Sequence, residues 1–448
     1  MKKTRIQFNT LFFIWLVSFT LVSGQALTLT ECVQIALKNK ETVKSAVLDI
    51  QSAEAGRRSA LSNVLPSLRL SGGWNESRFP GRDFTIDPVT GEPVGVPGTS
   101  ISSLTTWSSG VGLNQILYDG SGSWNRIAQA RENYRLAIQR DRQARINVIR
   151  DVYQAFYQLL KAQQLLKVAR LNLELTEQQV ELVQRQYELG AVKKTDLLKA
   201  EVQAGQAKVD LVNQESAVNN AMFALRNAMG LIGSEQQFTI KETDRPLPEL
   251  PDREKAYELL RDNNPSLQSA KIQLKQAEIN FRIARGARRP VLSANVNYSA
   301  ASEELSRFVR DFNESWRFNS SISLSLPLFT GFDISGKIQQ AQLAAMKQQY
   351  NYTTIRNDLI VQLEAIMEVL RNYEEIISIN EEVLTAAEED LKLVQKRYSL
   401  GSATILEVLD SQVSLTRARS NLVTSRYDAR VQEANYRAVL GVLGQDIE

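Results

Sequence analysis

From Val152 to Tyr187 every seventh residue is apolar or aromatic: Val152, Leu159, Leu166, Leu173, Val180 and Tyr187. Ala155, Ala162, Ala169, Thr176 and Val183 fill companion positions three residues later. The same stripe recurs as Leu363, Leu370, Ile377, Leu384, Leu391 and Tyr398. A sustained seven-residue period with small partners specifies coiled-coil packing at close range. A helix from about Trp124 to Leu189 would be on the order of 100 Å long at about 1.5 Å per residue. A compact globule cannot hold it.

The recurrence extends beyond the stripe. Ser45-Ala46 reappears as Ser269-Ala270, Ala53-Glu54 as Ala277-Glu278 and Pro66 as Pro290. Further on, Gly120, Tyr187, Gly190, Leu198, Arg226, Gly230 and Gly233 match Gly331, Tyr398, Gly401, Leu409, Arg437, Gly441 and Gly444. The offset changes once, between Trp74 and Leu113, where Pro88, Gly91, Pro93, Gly95 and Pro97 read as a long surface loop. Each repeat therefore reads helix, strand, loop, strand, very long helix, tight turn, long helix. Repeat 1 is expected over 25–240, with strands near 66–79 and 104–118 and a coiled-coil hairpin at 121–230. Repeat 2 is expected over 252–448, with strands near 290–300 and 316–329 and a hairpin at 333–443. A Pro-rich linker over 241–251 joins them.

Returning helices carry Leu197, Ala204, Leu211, Val218 and Leu225 at the same period. Gly190 and Gly401 suit the left-handed residue that ends an outgoing helix. Thr28-x-x-Glu31 reads as a capping box opening the first helix, which Pro66 closes. Lys2, Lys3 and Arg5, then an apolar run from Leu11 to Val22 and small residues near Gly24, form an expected secretory signal peptide over 1–24.

The predicted strands alternate. Leu292, Ala294, Val296 and Tyr298 are interleaved with Ser293, Asn295, Asn297 and Ser299. Trp316, Phe318, Ile322 and Leu324 alternate with Arg317, Asn319, Ser321 and Ser323. One face is apolar and the other small and polar. Trp74, Trp107 and Trp316 lie in these strands, resembling the aromatic girdle of a membrane barrel. Four strands cannot close, since about 8 is the practical minimum. A membrane role therefore requires several copies: two give eight strands and a filled interior, three give twelve and an aqueous passage.

Composition excludes much else. The chain has no His, one Cys, and 53 basic against 50 acidic residues. Without its first 24 residues it is neutral, with no basic tract to hold nucleic acid. His-dependent nucleophiles and metal sites are impossible. No cofactor motif is present, and the scattered carboxylates form no catalytic constellation.

The doubled helix–hairpin–long-helix unit, the paired Tyr-x-x-Gly turns and the Gly-terminated repeats resemble the TolC family of outer-membrane efflux proteins. That resemblance implies a mainly α fold with a transmembrane β-barrel: a homotrimer with one 12-stranded barrel in outer-membrane lipid and an α-helical tunnel in the periplasm of a Gram-negative bacterium. It implies a non-enzymatic exit duct for tripartite efflux or type I secretion, serving a periplasmic adaptor and an inner-membrane transporter. A periplasmic coiled-coil scaffold or adaptor without a pore is the alternative. The resemblance carries an entrance gate onto Asp196, Tyr398, Glu407 and Asp410, and adaptor docking onto Gly190, Lys194, Gly401 and Thr404. Ala403 stands where the family's best-known member has an arginine. A Tyr398-to-Asp196 hydrogen bond is expected to link the two tips. Glu407 also completes a capping box with Thr404, and Asp196 also suits a first helical turn.

Overall fold

The structure, a computed structural model, describes residues 26–233, 238–241, 251–310 and 316–445. The signal peptide expected over 1–24 and most of the expected linker over 241–251 lie outside them. In repeat 1, β1 (Ala26–Leu27) leads into α1 (Leu29–Asn39) and α2 (Glu41–Ala60), then β2 (Ser67–Ile86) and β3 (Pro93–Asp119). The long hairpin α3 (Gly122–Glu188) and α4 (Lys194–Ala228) follows, and β4 (Thr239–Ile240) pairs with β1. Repeat 2 has α5 (Arg253–Asn263), α6 (Pro265–Gly286), β5 (Val291–Ser302), α7 (Leu305–Arg310), β6 (Trp316–Ser325), α8 (Asp333–Ser399) and α9 (Ile405–Leu440). Both outgoing helices, α3 and α8, are 67 residues long.

Two expectations need correction. The first helix of each repeat is broken. Thr28 and Glu31 form the capping box, but the chain turns extended at Lys40 (φ −62°, ψ 125°) and at Asn264 (φ −68°, ψ 117°). Pro265 explains the second break, because a residue before proline is pushed out of the helical region. Asn264 then caps α6 by accepting from Leu267 N at 2.9 Å and donates to Val439 O at 2.7 Å. The Gly/Pro-rich stretch of repeat 1 is also not a long loop. It is paired as far as Ile86 with Pro93, leaving a short turn in which Asp87 Oδ1 accepts from Val89 N at 2.8 Å.

The breaks are docking points. Gly230 (φ +71°) and Gly441 (φ +77°) end the returning helices against Asn39–Lys40 and Asn263–Asn264 respectively. A Cβ on Gly441 would lie 2.4 Å from Asn263 O. At the foot of the sheet, a Cβ on Gly120 (φ +67°) would lie 2.3 Å from Gly286 O. Only glycine fits positions that combine positive φ with such approach.

Heptad positions supply the core. Val152, Leu159, Leu225 and Met229 pack with Cys32, Val33 and Ala36 of α1. Leu363, Met367 and Leu370 pack with Ala256 and Leu260 of α5 and with Tyr436 of α9. Cys32 is fully buried, and burial together with Glu31 pushes its thiol up to about 12. No helix among the described residues is long and apolar enough to cross a membrane.

The strands form one antiparallel sheet in the order β2-β3-β5-β6, so the central β3–β5 pairing joins the two repeats. Its register lines Leu70, Val111, Tyr298 and Phe318 in one row, with Leu68, Leu113 and Val296 beside it. The interleaved rows hold Ser71, Gly110, Ser299 and Arg317, and Arg69, Gly112, Asn297 and Asn319. One face is thus apolar and exposed, with Leu70 79% accessible and Ile322 73%. The outer edges of β2 and β6 have no partner among the described residues.

Candidate functional site

The candidate residues fall at the two ends of the molecule, separated by the length of α3, about 100 Å at 1.5 Å per residue. At the sheet, Trp74 sits opposite Trp107 with ring centroids 6.2 Å apart. Trp316 stacks on Tyr298 at 5.8 Å. Trp107 pairs with Ser302 and Trp316 with Ala300, so the three indoles lie within two register positions across the sheet. Glu76 and Arg78 follow immediately on β2 and pair at 2.9 Å. On the apolar face of β2, charge thus begins where the aromatic band stops.

At the other end the two hairpins share one core. Val183, Leu197 and Ala200 of the first pack with Leu391, Val394, Ile405, Val408 and Leu409 of the second. Gly190 and Gly401 turn the chain at the same φ, +74°, with no atom within 4 Å of an added Cβ. Both turns are exposed. Lys194 Nζ sits 5.4 Å from the Tyr187 ring centroid. Thr404 and Glu407 form a reciprocal cap, with Thr404 N donating to Glu407 Oε1 at 3.1 Å and Glu407 N to Thr404 Oγ1 at 3.3 Å. Arg397 adds a 3.5 Å ion pair to Glu407 and donates to Ser402 O at 2.9 Å. The Thr404 backbone N–H, its hydroxyl and Arg397 hold the Glu407 carboxyl below its ordinary range.

Tyr398 bridges the hairpins, but to a partner other than the one expected. Its hydroxyl donates to Gln186 Oε1 at 2.6 Å, joining the last turns of α8 and α3. Asp196, in the first turn of α4, is close enough to act electrostatically. Burial first, then the Asp196 carboxylate, raises the Tyr398 phenol above its usual value. The phenol is thus bound to the neutral amide oxygen, while Asp196 remains at the helix start where the dipole favours an acid. Nothing in the heptad pattern singles out Gln186, which flanks the core stripe. Asp410 is exposed and borders a groove of about 400 Å³ between α4 and α9, lined by Leu198, Val202, Leu406 and Val413. The arrangement brings Tyr398, Gln186 and Asp196 together, places Glu407 in a cap, and leaves Asp410 facing solvent.

A family model for outer membrane efflux proteins matches residues 32–231 and 256–442. The chain is 23% identical over 431 residues to outer membrane protein TolC of Vibrio cholerae, spanning 93% of this chain and 91% of that protein. It is 22% identical to a probable efflux pump outer membrane protein, TtgC of Pseudomonas putida, over 92% and 82%. Among solved structures, CusC superposes with a TM-score of 0.80 at 21% identity over 92% of both chains. The outer membrane protein VceC of Vibrio cholerae gives 0.78 at 17% identity, over 92% and 96%.

Proposed function

The chain belongs to the outer membrane efflux protein family, and on that premise we propose that three copies close into a single exit duct. The observation that carries this reading is the sheet. It has one apolar exposed face, one polar face and two open edges, and lipid does not tolerate open edges. Pairing β6 of one copy with β2 of the next makes a 12-stranded barrel. The Ser/Asn face then lines water, and Asn114 donating to Asn295 and the Ser293–Ser323 contact at 2.8 Å belong to that lining.

The helices support the same closure. α4 carries a second heptad stripe besides its core stripe: Leu198, Val202, Val209, Val212 and Phe223 are 47–73% exposed. α8 carries another, with Val369, Ile376, Ile379, Val383 and Leu393 all exposed, continued by exposed Leu400 at its C-cap. Two coiled-coil seams without a partner among the described residues of one copy fit a tunnel wall in which α4 of one copy packs on α8 of the next. A poreless scaffold has no use for the apolar sheet face. Native mass spectrometry in detergent is expected to give a homotrimer. Val202→Asp combined with Val209→Asp should shift it to monomer, while Lys208→Asp, off the stripe, should not. A parent that runs as a lipid-free monomer would overturn the reading.

The tips around Gly190, Lys194, Gly401 and Thr404 then point away from the membrane and serve a periplasmic adaptor and the inner-membrane transporter behind it. This matches names such as efflux pump outer membrane protein among the relatives. Power comes from the transporter; the duct carries no catalysis. Asp410, repeated in three copies, rings the entrance with carboxylate. Because Glu407 is engaged by its cap and Arg397, Asp410→Asn is expected to lower cation selectivity in planar bilayers more than Glu407→Gln does. Equal effects would place the selectivity elsewhere.

A further inference from the structure

The helix leading into the second β-hairpin ends in cations that neither the passage nor the tips employ. Arg282, Arg285, Arg288 and Arg289 lie at the end of α6 and in the turn after it, with no acid between Glu278 and β5. All four are exposed, and none forms an ion pair among the described residues. Arg285 rests over the Phe281 ring at 5.7 Å, and Arg289 Nη1 donates to Gly120 O at 3.3 Å. These two are thereby held at the foot of the sheet. One or two cations complement a helix C-terminus; four unpaired guanidiniums exceed that need.

The four lie where α6 runs into β5, at the foot of the sheet that carries the exposed apolar face. Arg282 and Arg285 share one face of α6 with Lys271 and Glu278 at helical spacing, beside Lys275, whose Nζ pairs with buried Glu132 of α3 at 2.8 Å; Arg288 and Arg289 follow in the turn after the helix. The repeat-1 counterparts of Arg285 and Arg289 are Leu61 and Leu65, 46% and 58% exposed. These exposed leucines stand just before the apolar strand residues Leu68 and Leu70 of β2. The opposite face of α6 carries Gln273, Gln276 and Asn280, which bond to Gln348, Asn133 and Gln129 at 2.7–3.2 Å. The counterpart of Arg282 is Arg58, itself exposed.

We propose that this arginine collar, repeated in each copy, binds the phosphates of anionic phospholipids in the periplasmic leaflet and so sets the depth of the barrel. The inference rests on the outer-membrane reading above. Guanidinium groups match phosphate oxygens in a planar fork and keep their charge at any physiological pH. Basic clusters beside a membrane surface attract anionic headgroups over about a Debye length. A phospholipid, rather than a free phosphate ion, fits because the sheet that begins just after the cations carries exposed apolar side chains such as Leu324, opposite Leu292.

The test is native mass spectrometry of the intact oligomer offered equal amounts of phosphatidylglycerol and phosphatidylethanolamine. The parent is expected to retain several-fold more phosphatidylglycerol at about 0.1 M salt, with the preference shrinking as salt rises. R282Q/R285Q/R288Q/R289Q should lose the preference while remaining an oligomer that conducts. Should that variant misfold, R282Q/R288Q leaves the Phe281 and Gly120 contacts intact and should at least halve the preference. Equal retention of both lipids by the parent would overturn the proposal. So would an unchanged preference in the variants, or displacement of the lipid by inorganic phosphate at equal concentration. Failure of the parent to form an oligomer would instead defeat the duct itself, which separates the two readings.

Discussion

Gly441→Val will leave no oligomer in the outer-membrane fraction, although residue 441 is remote from both ends of the duct. Two costs add. A β-branched residue at φ +77° loses about 1–2 kcal/mol to left-handed strain. Its Cβ would also lie 2.4 Å from Asn263 O and 2.7 Å from Asn263 C, which are backbone atoms unable to swing aside. Moving them disturbs the α5–α6 break, where buried Asn264 donates to Val439 O, and the core of Leu260, Leu363 and Tyr436 beyond it. Losing that hydrogen bond and part of that packing is expected to bring the total above about 4 kcal/mol. Domains are stable by only about 5–15 kcal/mol. Gly120→Val should behave alike, because its Cβ would meet Gly286 O at 2.3 Å. Gly401→Ala is the control: the same left-handed φ, but open space around it, so about 1–2 kcal/mol of strain and a normal oligomer. Heat-modifiable migration of outer-membrane fractions checks all three. A Gly441→Val oligomer as heat-resistant as the parent would show that the helix break is not a fixed joint.

The same glycines show how much of the fold was legible in the residues. The duplication marks Gly230 and Gly441 as equivalent, and the heptads define the helices and their core stripes. The break at Lys40 carries no such mark: it has no proline, and its partner at Asn264 is explained only by Pro265. Proline misled in the other direction at Pro93 and Pro97, which read as loop residues and lie in β3. Above Trp107, β3 is no longer paired with β5, so one side of the strand is free and a missing N–H there costs no ladder bond. The heptad period likewise says that a stripe is buried without saying in whose interface. The stripe through Leu197 and Leu225 packs within the chain, while the one through Val202 and Val209 does not. At the tip, the family resemblance pointed to Asp196 and Glu407. The hydrogen bond is made by the uncharged Gln186, whose position beside the core follows from how the two hairpins lie together.

That exchange of partners changes what opens the tip. A phenol–amide hydrogen bond is worth about 0.5–1.5 kcal/mol net, so three copies bias the tip toward closure by about 1.5–4.5 kcal/mol. One tenfold change in an equilibrium takes about 1.4 kcal/mol. Gln186→Ala combined with Tyr398→Phe is therefore expected to raise conductance through a mostly closed duct by roughly ten- to a thousandfold. Asp196→Ala alone, which leaves the Tyr398–Gln186 bond intact, should do much less. Alkali provides an independent route. The Tyr398 phenol is raised above its unfolded value, by burial and then by the Asp196 carboxylate. Its contribution to the closed tip is therefore complete below the unfolded value near 10 and is lost as pH rises through the folded one. Above that point a phenolate can no longer donate to Gln186, and it faces Asp196 with like charge. Bilayer recordings should show a conductance rise in strong alkali that Tyr398→Phe abolishes, because that variant lacks both the bond and the titrating group. Its conductance near neutral pH should already match that of the double variant, since either change alone removes the bond. A double variant that conducts like the parent would leave the barrel and tunnel standing and move the gate to other residues.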